Sequence, residues 1–565
     1  MEELEAEIKQ YSLSSLLWLC AAVVTGLQLW DRNDPPADAY VTFLRLFFPP
    51  PLAKKLWIGY WSKSPRREVF HRRQILLIAK LGIMNCSSGG IDLRNASERF
   101  GLILLKASDQ FHHDLLRTIG GVVSTKDGYS RLIAEFVAVT EYGKPHLGYQ
   151  MARSSLLLTY LTQKLASDLD YVDCGAEYAA SMGVSFDEYT AMLFGLHARF
   201  GRDIVKTIAT NPGSLPFCLA TFAGTPISPL KGEKFFSTIS ATPSKLRREI
   251  LNRDFGPNDF TVFKKWPAVE QWYNLPLKNC WLGHLLLDNH MLLEKQLSGP
   301  YWFAFGKYGK RFSRFWGRVF EEYVNRLLMT STAGTPVRFI QDVCHPHAPQ
   351  RQICDGLIVD ENALAVIEYK AAIFTADAKY SGDPALLSDE IDNKLIRDQV
   401  SGNKKAAIQL ADAVNSLMTD PSISISLGID LSTISSIFPL VVTLDGIGGT
   451  IGISPYLELA FHPALNLDVQ QSNVVQAMAC VDINSLEVMT EYFHVCGLTN
   501  LLQKWREFSP SLAAPFLATP LTGVTRKANQ WLKGTSDEIF LSITKIFFPD
   551  ADPEVALRHV KGIRG

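Results

Sequence analysis

The first 300 residues carry apolar side chains at the three- and four-residue spacing of amphipathic helices. Clear examples are residues 74–83, 131–138 and 189–196. The sequence Ser185-Phe-Asp-Glu188 stands directly before the third example and has the form of a capping box, which marks a helix start. The pattern predicts a helical region of about 300 residues, and no catalytic motif is found within it.

The pattern changes after residue 300, where short strand-like runs alternate with helices. A helix is predicted from about Phe312 to Met329, and its apolar stripe is Phe315, Val319, Tyr323 and Leu327. Strands are predicted at residues 337–341, 353–359, 364–370 and 437–443, a helical region at 386–417, and helices in the tail. This order predicts an α/β or α+β fold with helices against a central mixed sheet. We expect a helical domain at 1–300, a core at 301–450 and a helical extension at 451–565 that packs on the core.

Residues 353–370 read as a hairpin of two apolar, partly β-branched strands around a polar turn. With a four-residue loop at 360–363, Val359 faces Leu364 across the two strands. The same register places Asp355 opposite Glu368, with Lys370 two residues further along the same face. Facing carboxylates repel each other, and their apolar neighbours keep solvent from screening them. A hard divalent cation bound by oxygen ligands, with Lys370 beside it, would compensate the repulsion.

Composition narrows the class of protein. A chain of 565 residues is long for one core, and its apolar fraction of 47% is that of a globular protein. The formal net charge of −1 means that any basic surface is local. Nine cysteines scattered singly favour reduced thiols in the cytoplasm. The membrane candidate at 13–29 is short and contains polar residues, so we expect a buried helix and no membrane partner.

Asp355 followed by Glu368-Tyr369-Lys370 resembles the signature of the PD-(D/E)xK nuclease superfamily, with Cys354 where the signature has proline. Gly317-Arg-Val-Phe-Glu321 is similar to the helix that precedes the sheet in that superfamily, and residues 405–410 to the helix that follows the hairpin. The resemblance covers residues 306–450. It implies a restriction-endonuclease-like domain that cleaves nucleic acid, DNA rather than RNA, and it weakly suggests a bacterial defence or mobile-element system.

The resemblance also implies roles for individual residues. Asp355 and Glu368 would hold Mg²⁺ or Mn²⁺ together with the Tyr369 carbonyl and Glu321, with Glu322 as the substitute if the helix is rotated. Lys370 would orient the attacking water and stabilise the transition state, and Gln409 would hold a phosphate or a water.

A basic and aromatic segment leads into this core. Its cations, together with Lys405 further on, are expected to contact the nucleic-acid backbone, and its Phe and Trp side chains to stack on bases. The cations of the segment are Lys307, Lys310, Arg311, Arg314 and Arg318.

Two nearby motifs and the function of the whole chain have alternative interpretations. Cys344-His-Pro-His347 with Cys354 lacks the spacing of a zinc site, so loop and strand residues are expected there. Residues 444–452 lack the GxGxxG spacing of a dinucleotide loop, so a flexible turn after the last strand is expected. The rival function is a non-catalytic nuclease-fold scaffold, whose helical N-terminal region binds a protein partner or a second copy of the chain.

Overall fold

The computed structural model describes residues 1–27, 37–62, 69–87, 89–93, 97–111, 125–141, 146–199, 215–253, 255–275, 278–521, 524–550 and 552. The helices up to residue 308 are α1 (Glu2–Ile8), α2 (Leu13–Leu27), α3 (Ala37–Phe47), α4 (Pro50–Leu56), α5 (Arg72–Asn85), α6 (Ser97–Asp109), α7 (Lys126–Glu141), α8 (Leu147–Leu158), α9 (Tyr160–Lys164), α10 (Cys174–Ser181), α11 (Phe186–Ala198), α12 (Pro229–Ile239), α13 (Pro243–Arg253), α14 (Thr261–Lys265) and α15 (Asn289–Tyr308). The strands are β1 (Ser240–Ala241), β2 (Ala268–Leu275) and β3 (Lys278–Leu286).

The remaining helices are α16 (Lys310–Thr332), α17 (Ala376–Tyr380), α18 (Pro384–Ile391), α19 (Ala406–Thr419), α20 (Pro421–Leu427), α21 (Ile453–Phe461), α22 (Val469–Val474), α23 (Ile483–Met489), α24 (Phe493–Phe508) and α25 (Gln530–Phe547). The strands of this half are β4 (Arg338–His345), β5 (Ala348–Asp360), β6 (Ala363–Lys370), β7 (Ser436–Thr443) and β8 (Ala479–Asp482).

The N-terminal half is mainly helical, as its periodicity predicts. The capping box forms before α11, where Ser185 and Glu188 each accept a hydrogen bond from the other's backbone N–H. One apolar core extends from Leu4 to Leu292, and α2 is largely buried in it. Within the described ranges, no helix is both long and apolar enough to cross a membrane. The half also contains a three-stranded sheet, β1-β2-β3, which helical periodicity did not predict.

The second sheet has the order β4-β5-β6-β7-β8, antiparallel from β4 to β6 and parallel from β6 to β8. The predicted hairpin register is confirmed, since Val359 pairs with Leu364 and Leu357 with Val366. The turn is tighter than the predicted four residues because Asp360 and Ala363 also pair. The turn is therefore residues 361 and 362, and Glu361 adopts a left-handed conformation there (φ +49°).

Helices cover both faces of this sheet. The predicted stripe on α16 is fully buried, and it packs on the face that carries Ile358 and Ile367. The opposite face carries Leu357 and Val366 and packs against α19. Two-sided burial explains why β5 and β6 are nearly continuous apolar runs.

Two predicted segments differ in the structure. The helical region at 386–417 is divided, because α18 ends in a π turn at Asp392–Ile396 and a loop intervenes before α19. The C-terminal extension is not purely helical, because β8 adds a fifth strand beside β7. The turn at 444–452 therefore does not follow the last strand; it forms a 3₁₀ turn at Gly446–Gly449 whose Ile447 is fully buried.

The predicted boundary at residue 300 lies inside helix α15. The two halves also share core side chains, since Ile133 and Val137 of α7 belong to the apolar cluster of the sheet's α19 face. A buried ion pair joins α8 to α23, with Arg153 Nη1 2.8 Å from Glu487 Oε1.

We expect Gly448→Ala to destabilise the chain, because a Cβ there would lie 2.7 Å from the Val481 backbone carbonyl and would clash with the Thr443 hydroxyl. Overpacking of this kind costs about 1–3 kcal/mol, to be measured as a lower urea midpoint at unchanged m-value. Gly446→Ala in the same turn has open space and serves as the control. Equal losses in both variants would contradict the close packing.

Candidate active site

Asp355 and Glu368 lie where β5 and β6 separate. The last ladder pair at this end is Gly356 with Ile367, so the next two residues in register are Asp355 and Glu368. The Asp355 side chain takes the place of a ladder partner, because its Oδ2 accepts a hydrogen bond of 2.6 Å from the Tyr369 backbone N–H. The predicted juxtaposition of the two carboxylates follows from this register.

Both carboxylates are buried, with relative exposures of 7% for Asp355 and 5% for Glu368. Lys370 Nζ donates a hydrogen bond of 2.6 Å to Glu368 Oε1. Gln352 Nε2 donates to Asp355 Oδ1 at 3.1 Å. Lys370 is thus on the carboxylate face, as predicted, and is half-buried beside two anions.

The negative charges of Asp355 and Glu368 are only partly balanced by the positive charge of Lys370. Burial, opposed by Lys370 and reinforced by Asp355, raises the pKa of Glu368 to about 7. Burial also raises the pKa of Asp355 above its ordinary value, although Lys370 and the Tyr369 N–H act against the shift. One lysine therefore does not neutralise the pair.

Tyr369 fixes the hairpin from the other face. Its hydroxyl donates to Asn325 Oδ1 of α16 at 3.0 Å, and both side chains are buried. A Cβ at Gly356 would clash with the Tyr369 hydroxyl, so glycine after Asp355 lets the ring lie across β5. The Tyr369 backbone lies beside the carboxylates through its N–H; the predicted role of its carbonyl as a metal ligand stays a prediction.

Glu321 contributes a third carboxylate from α16. Burial first, and then the charge of Asp355, raises the pKa of Glu321 to about 7, while Lys370 acts in the opposite direction. Glu322, the substitute considered from the sequence, pairs instead with Lys164. Glu321 is therefore electrostatically coupled to the predicted site, and its role as a metal ligand stays a prediction.

Asp342 is a neighbour of the site that the sequence reasoning missed. Gln341 pairs with Gly356 and Val343 with Cys354, so Asp342 lies opposite Asp355 across β4 and β5. Its backbone is left-handed (φ +50°), and its charge contributes to the raised pKa of Asp355. The predicted strand ended at residue 341, whereas β4 continues to His345; extending the strand against the hairpin register would have revealed Asp342.

Gln409 and Lys405 lie at the start of α19. The Gln409 Oε1 atom is buried without a hydrogen-bond partner, and helix α19 packs against both β5 and β6. Lys405 Nζ is 3.8 Å from an Asp398 carboxylate oxygen. The roles predicted for these two residues stay predictions.

Four of the five cations on α15 and α16 that were predicted to bind nucleic acid contact residues 168–177, a segment that runs from the loop before α10 into the first turn of that helix. We call this segment the acidic loop. Arg314 binds Asp170 through hydrogen bonds of 2.9 and 2.8 Å, and Arg318 contacts Asp168 and Asp170. Lys307 pairs with Glu177 at 2.9 Å, Arg311 donates to the Tyr171 carbonyl at 3.0 Å, and Lys310 is exposed. Hydrogen bonds from Arg314 and Arg318 lower the pKa of Asp170 to about 2.

The aromatic part of that segment is not available for stacking. Phe312, Phe315 and Trp316 are buried in the core beneath α16. The prediction that Phe or Trp side chains there stack on bases is therefore wrong, because the helix turns its aromatic face inward and its basic face outward.

The acidic side chains of the site can be compared with the ligand set that a divalent cation requires. Across the described parts of the chain, no group of three or more His, Cys, Asp or Glu is close enough to hold an ion. Asp355 and Glu368 nevertheless fit the usual protein share of a Mg²⁺ site, which is one or two carboxylates with water and phosphate completing the shell. Burial is the main cause of both raised pKa values, and a bound divalent cation would favour the ionised form of both carboxylates.

The zinc alternative gains no support. His345 Nε2 contacts Asp420 at 3.0 Å, while burial raises the pKa of the Cys354 thiol well above its ordinary value. A high thiol pKa disfavours the thiolate that binds zinc. These side chains belong to the β4–β5 hairpin, as the sequence predicted for loop and strand residues.

No protein-family model, no curated protein and no solved structure matches the chain.

We expect the metal-free protein to lose stability as pH rises from about 4.5 to about 7. The unfolded chain releases the Glu368 proton near the ordinary pKa, whereas the folded chain holds it until about 7, so folding is favoured at the acidic end of this window. Glu368→Gln should weaken this dependence, leaving the part that Glu321 and Asp355 contribute, and add about 1–3 kcal/mol of stability at pH 7.5 in EDTA. Urea unfolding across pH measures it.

Glu361→Gln at the exposed hairpin turn is the matched control and should leave the pH profile unchanged. Parallel pH profiles for native chain and Glu368→Gln would mean that Glu368 does not hold its proton in the folded state.

Proposed function

We propose that the chain is a metal-dependent nuclease that hydrolyses phosphodiester bonds of nucleic acid, DNA rather than RNA. The observation that carries the proposal is the buried pair Asp355 and Glu368 with Lys370 at the open end of one hairpin. Two carboxylates and a lysine, held by backbone geometry and only partly neutralised, suit phosphoryl chemistry. The resemblance of these residues to the PD-(D/E)xK signature supports the same reaction class.

Hydrolysis joins a water oxygen to phosphorus and breaks the bond to the leaving oxygen, which takes up the proton that the water gives up. Lys370 stands where its ammonium would orient that water and stabilise charge on the phosphate oxygens. Asp355 is held in place by the Tyr369 N–H and by Gln352. Bound Mg²⁺ or Mn²⁺ would polarise the phosphate and acidify the water.

Charge balance favours this proposal over a purely structural ion pair. Asp355, Glu368 and Glu321 carry up to three negative charges against one on Lys370, and the pKa of each carboxyl is raised. A structural pair is usually arranged so that charges cancel, because uncompensated burial is costly. Perturbed carboxyl groups of this kind are typical of functional sites.

The second candidate is a nuclease-fold scaffold that binds protein and does not cleave. The observation that favours it is the pairing of the predicted nucleic-acid contacts Arg314 and Arg318 with the acidic loop. In this case the site would retain its shape, and the N-terminal helices would bind a protein partner or a second copy.

We expect Mg²⁺- or Mn²⁺-dependent cleavage by the native chain, tested on plasmid, linear duplex, single-stranded DNA and single-stranded RNA. Glu368→Gln and Lys370→Met should each lower kcat by at least about a hundredfold, because each removes a charge that acts on the transition state. Fluorescent end-labelled substrates resolved on denaturing gels measure the rates.

Two charge-matched controls lie outside the site: Glu361→Gln at the hairpin turn and Lys404→Met, whose Nζ pairs with Asp412 at 2.6 Å. Both should cleave like the native chain. A native chain that cuts none of the four substrates with either metal contradicts the proposal and favours the scaffold.

We expect the acidic loop to compete with nucleic acid for the basic face of α16. Exposed ion pairs contribute little stability and are screened by salt, so a polyanion can displace them. Asp168→Asn with Asp170→Asn should raise affinity for a labelled oligonucleotide about three- to tenfold in EDTA, with a steeper salt dependence. Fluorescence anisotropy on the Glu368→Gln background measures binding without cleavage.

The control is Asp127→Asn with Asp187→Asn, which makes the same charge change at exposed positions on α7 and α11. If both double variants bind alike, the basic face of α16 is not a nucleic-acid surface.

A further inference from the structure

Four charged side chains of alternating sign form a continuous chain between the two halves of the protein. They are Lys264 on α14, Glu141 at the end of α7, Lys379 on α17 and Asp445 just after β7. Lys379 Nζ lies 3.3 Å from Glu141 and 3.0 Å from Asp445, and Lys264 pairs with Glu141. We call these four residues the charge relay, by which we mean a continuous network of ion pairs and not a path for proton transfer.

The relay is shielded from water at its C-terminal end. The side chains of Lys379 and Asp445 are only 7% and 3% exposed. Burial alone would raise the pKa of Glu141, but Lys264 and Lys379 hold it below its ordinary value. Burial alone would lower the pKa of Lys379, but Asp445 and Glu141 raise it. Each charge therefore depends on its neighbours, and removing one leaves another buried and uncompensated.

Asp445 connects the relay to the strand that carries Lys370. Its Oδ2 accepts a hydrogen bond of 3.0 Å from the Phe374 backbone N–H, and its Oδ1 accepts one of 3.1 Å from Ile447. The Lys370 carbonyl, in turn, accepts a hydrogen bond of 3.0 Å from the Leu444 N–H. The exit of β6, residues 371–373, is therefore tied at both ends to residues 444 and 445.

The other end of the relay belongs to the N-terminal half. Glu141 is the last residue of α7, which packs on the sheet domain through Ile133 and Val137. The Tyr380 hydroxyl also binds Glu141, and Tyr380 is part of the N-terminal core. A movement of α7 or α14 would therefore displace α17 and the exit of β6, because the ion pairs of the relay join these elements.

We propose that Asp445 is a positioning residue for Lys370. Through the charge relay, helices α7 and α14 of the N-terminal half would then determine where the Lys370 side chain lies in the site. This inference rests on the proposed function for its catalytic consequence, but its structural part stands independently. Lys370 is the last residue of β6, so its ammonium is placed by the backbone that follows as well as by the ladder. The relay fixes that backbone. The helical half is then a component of the active site's support and not a separable recognition module.

The buried ion pair of Arg72 and Asp288 is not linked to the exit of β6. Arg72 and Asp288 form a buried pair within the N-terminal core, and Asp288 also accepts a backbone N–H from Met291 at 2.8 Å. Asp288 thus matches Asp445 in burial, in a cationic partner and in a backbone hydrogen bond, yet it caps α15 and not the exit of β6. Asp288→Asn is therefore a matched control for loss of a buried charge.

The experiment compares full-length Asp445→Asn, Glu141→Gln and Asp288→Asn with the native chain. Hydrogen–deuterium exchange read by mass spectrometry reports the amides of residues 371–374, and steady-state cleavage of labelled DNA reports kcat and KM. We expect Asp445→Asn and Glu141→Gln to speed exchange in that segment about tenfold. Both should lower kcat about tenfold, per folded molecule, with KM within twofold, because the substrate still binds while Lys370 is less well placed.

Asp288→Asn should lower the melting temperature without changing exchange at 371–374 or kcat. If Glu141→Gln leaves hydrogen–deuterium exchange at residues 371–374 unchanged, the relay is overturned. If Asp288→Asn speeds exchange at these residues as much as Asp445→Asn does, the effect is general destabilisation, and the relay is again overturned. Faster exchange with unchanged kcat per folded molecule overturns the positioning role. If the native chain cleaves nothing, the proposed function fails, while the exchange measurements still decide whether the relay fixes the exit of β6.

Discussion

The β5–β6 register, which buries Asp355 and Glu368 at the open end of the hairpin, is the constraint on which the candidate site depends. The β5–β6 register brings the carboxylates together, and the strands separate there so that Asp355 bonds the Tyr369 N–H. Two carboxylates with raised pKa values and one lysine make a site that folding alone does not favour. The surrounding structure holds it, through the α16 stripe on one face and α19 on the other. A costly arrangement held by a rigid frame is typical of a functional site.

Charged groups elsewhere in the described structure also form contacts within the chain. The basic face of α16 contacts the acidic loop, the charge relay alternates in sign, and Arg153 is neutralised by Glu487. This internal pairing agrees with a net charge of −1. If the substrate is nucleic acid, as we propose, it would have to exchange these ion pairs for new ones. Recognition would then depend on the conformation of the acidic loop and on salt.

The sequence was most informative where a pattern constrains both faces of an element. Alternation and length gave the register of β5 and β6, and the four-residue spacing on α16 gave its buried stripe. It was least informative where partners come from distant positions. Strands β1 and β8 have only two and four residues, and they pair with β2 and β7, which are not adjacent to them in the sequence. Asp342 was missed because the predicted strand stopped at residue 341, whereas β4 continues to His345.

The sequence by itself determined which residue types face each other in the hairpin, because side chains alternate with a fixed period of two along a strand. It also determined that α16 would bury an apolar face and expose a basic one. Only the tertiary structure decided the partners of the charged groups on α16: Arg314 and Arg318 contact the acidic loop, and the charge of Asp355 acts on Glu321. Only the tertiary structure joined Glu141 to Asp445 across about 300 positions of sequence. Such contacts depend on how whole helices and strands pack against each other, and the local periodicity of the sequence does not predict this packing.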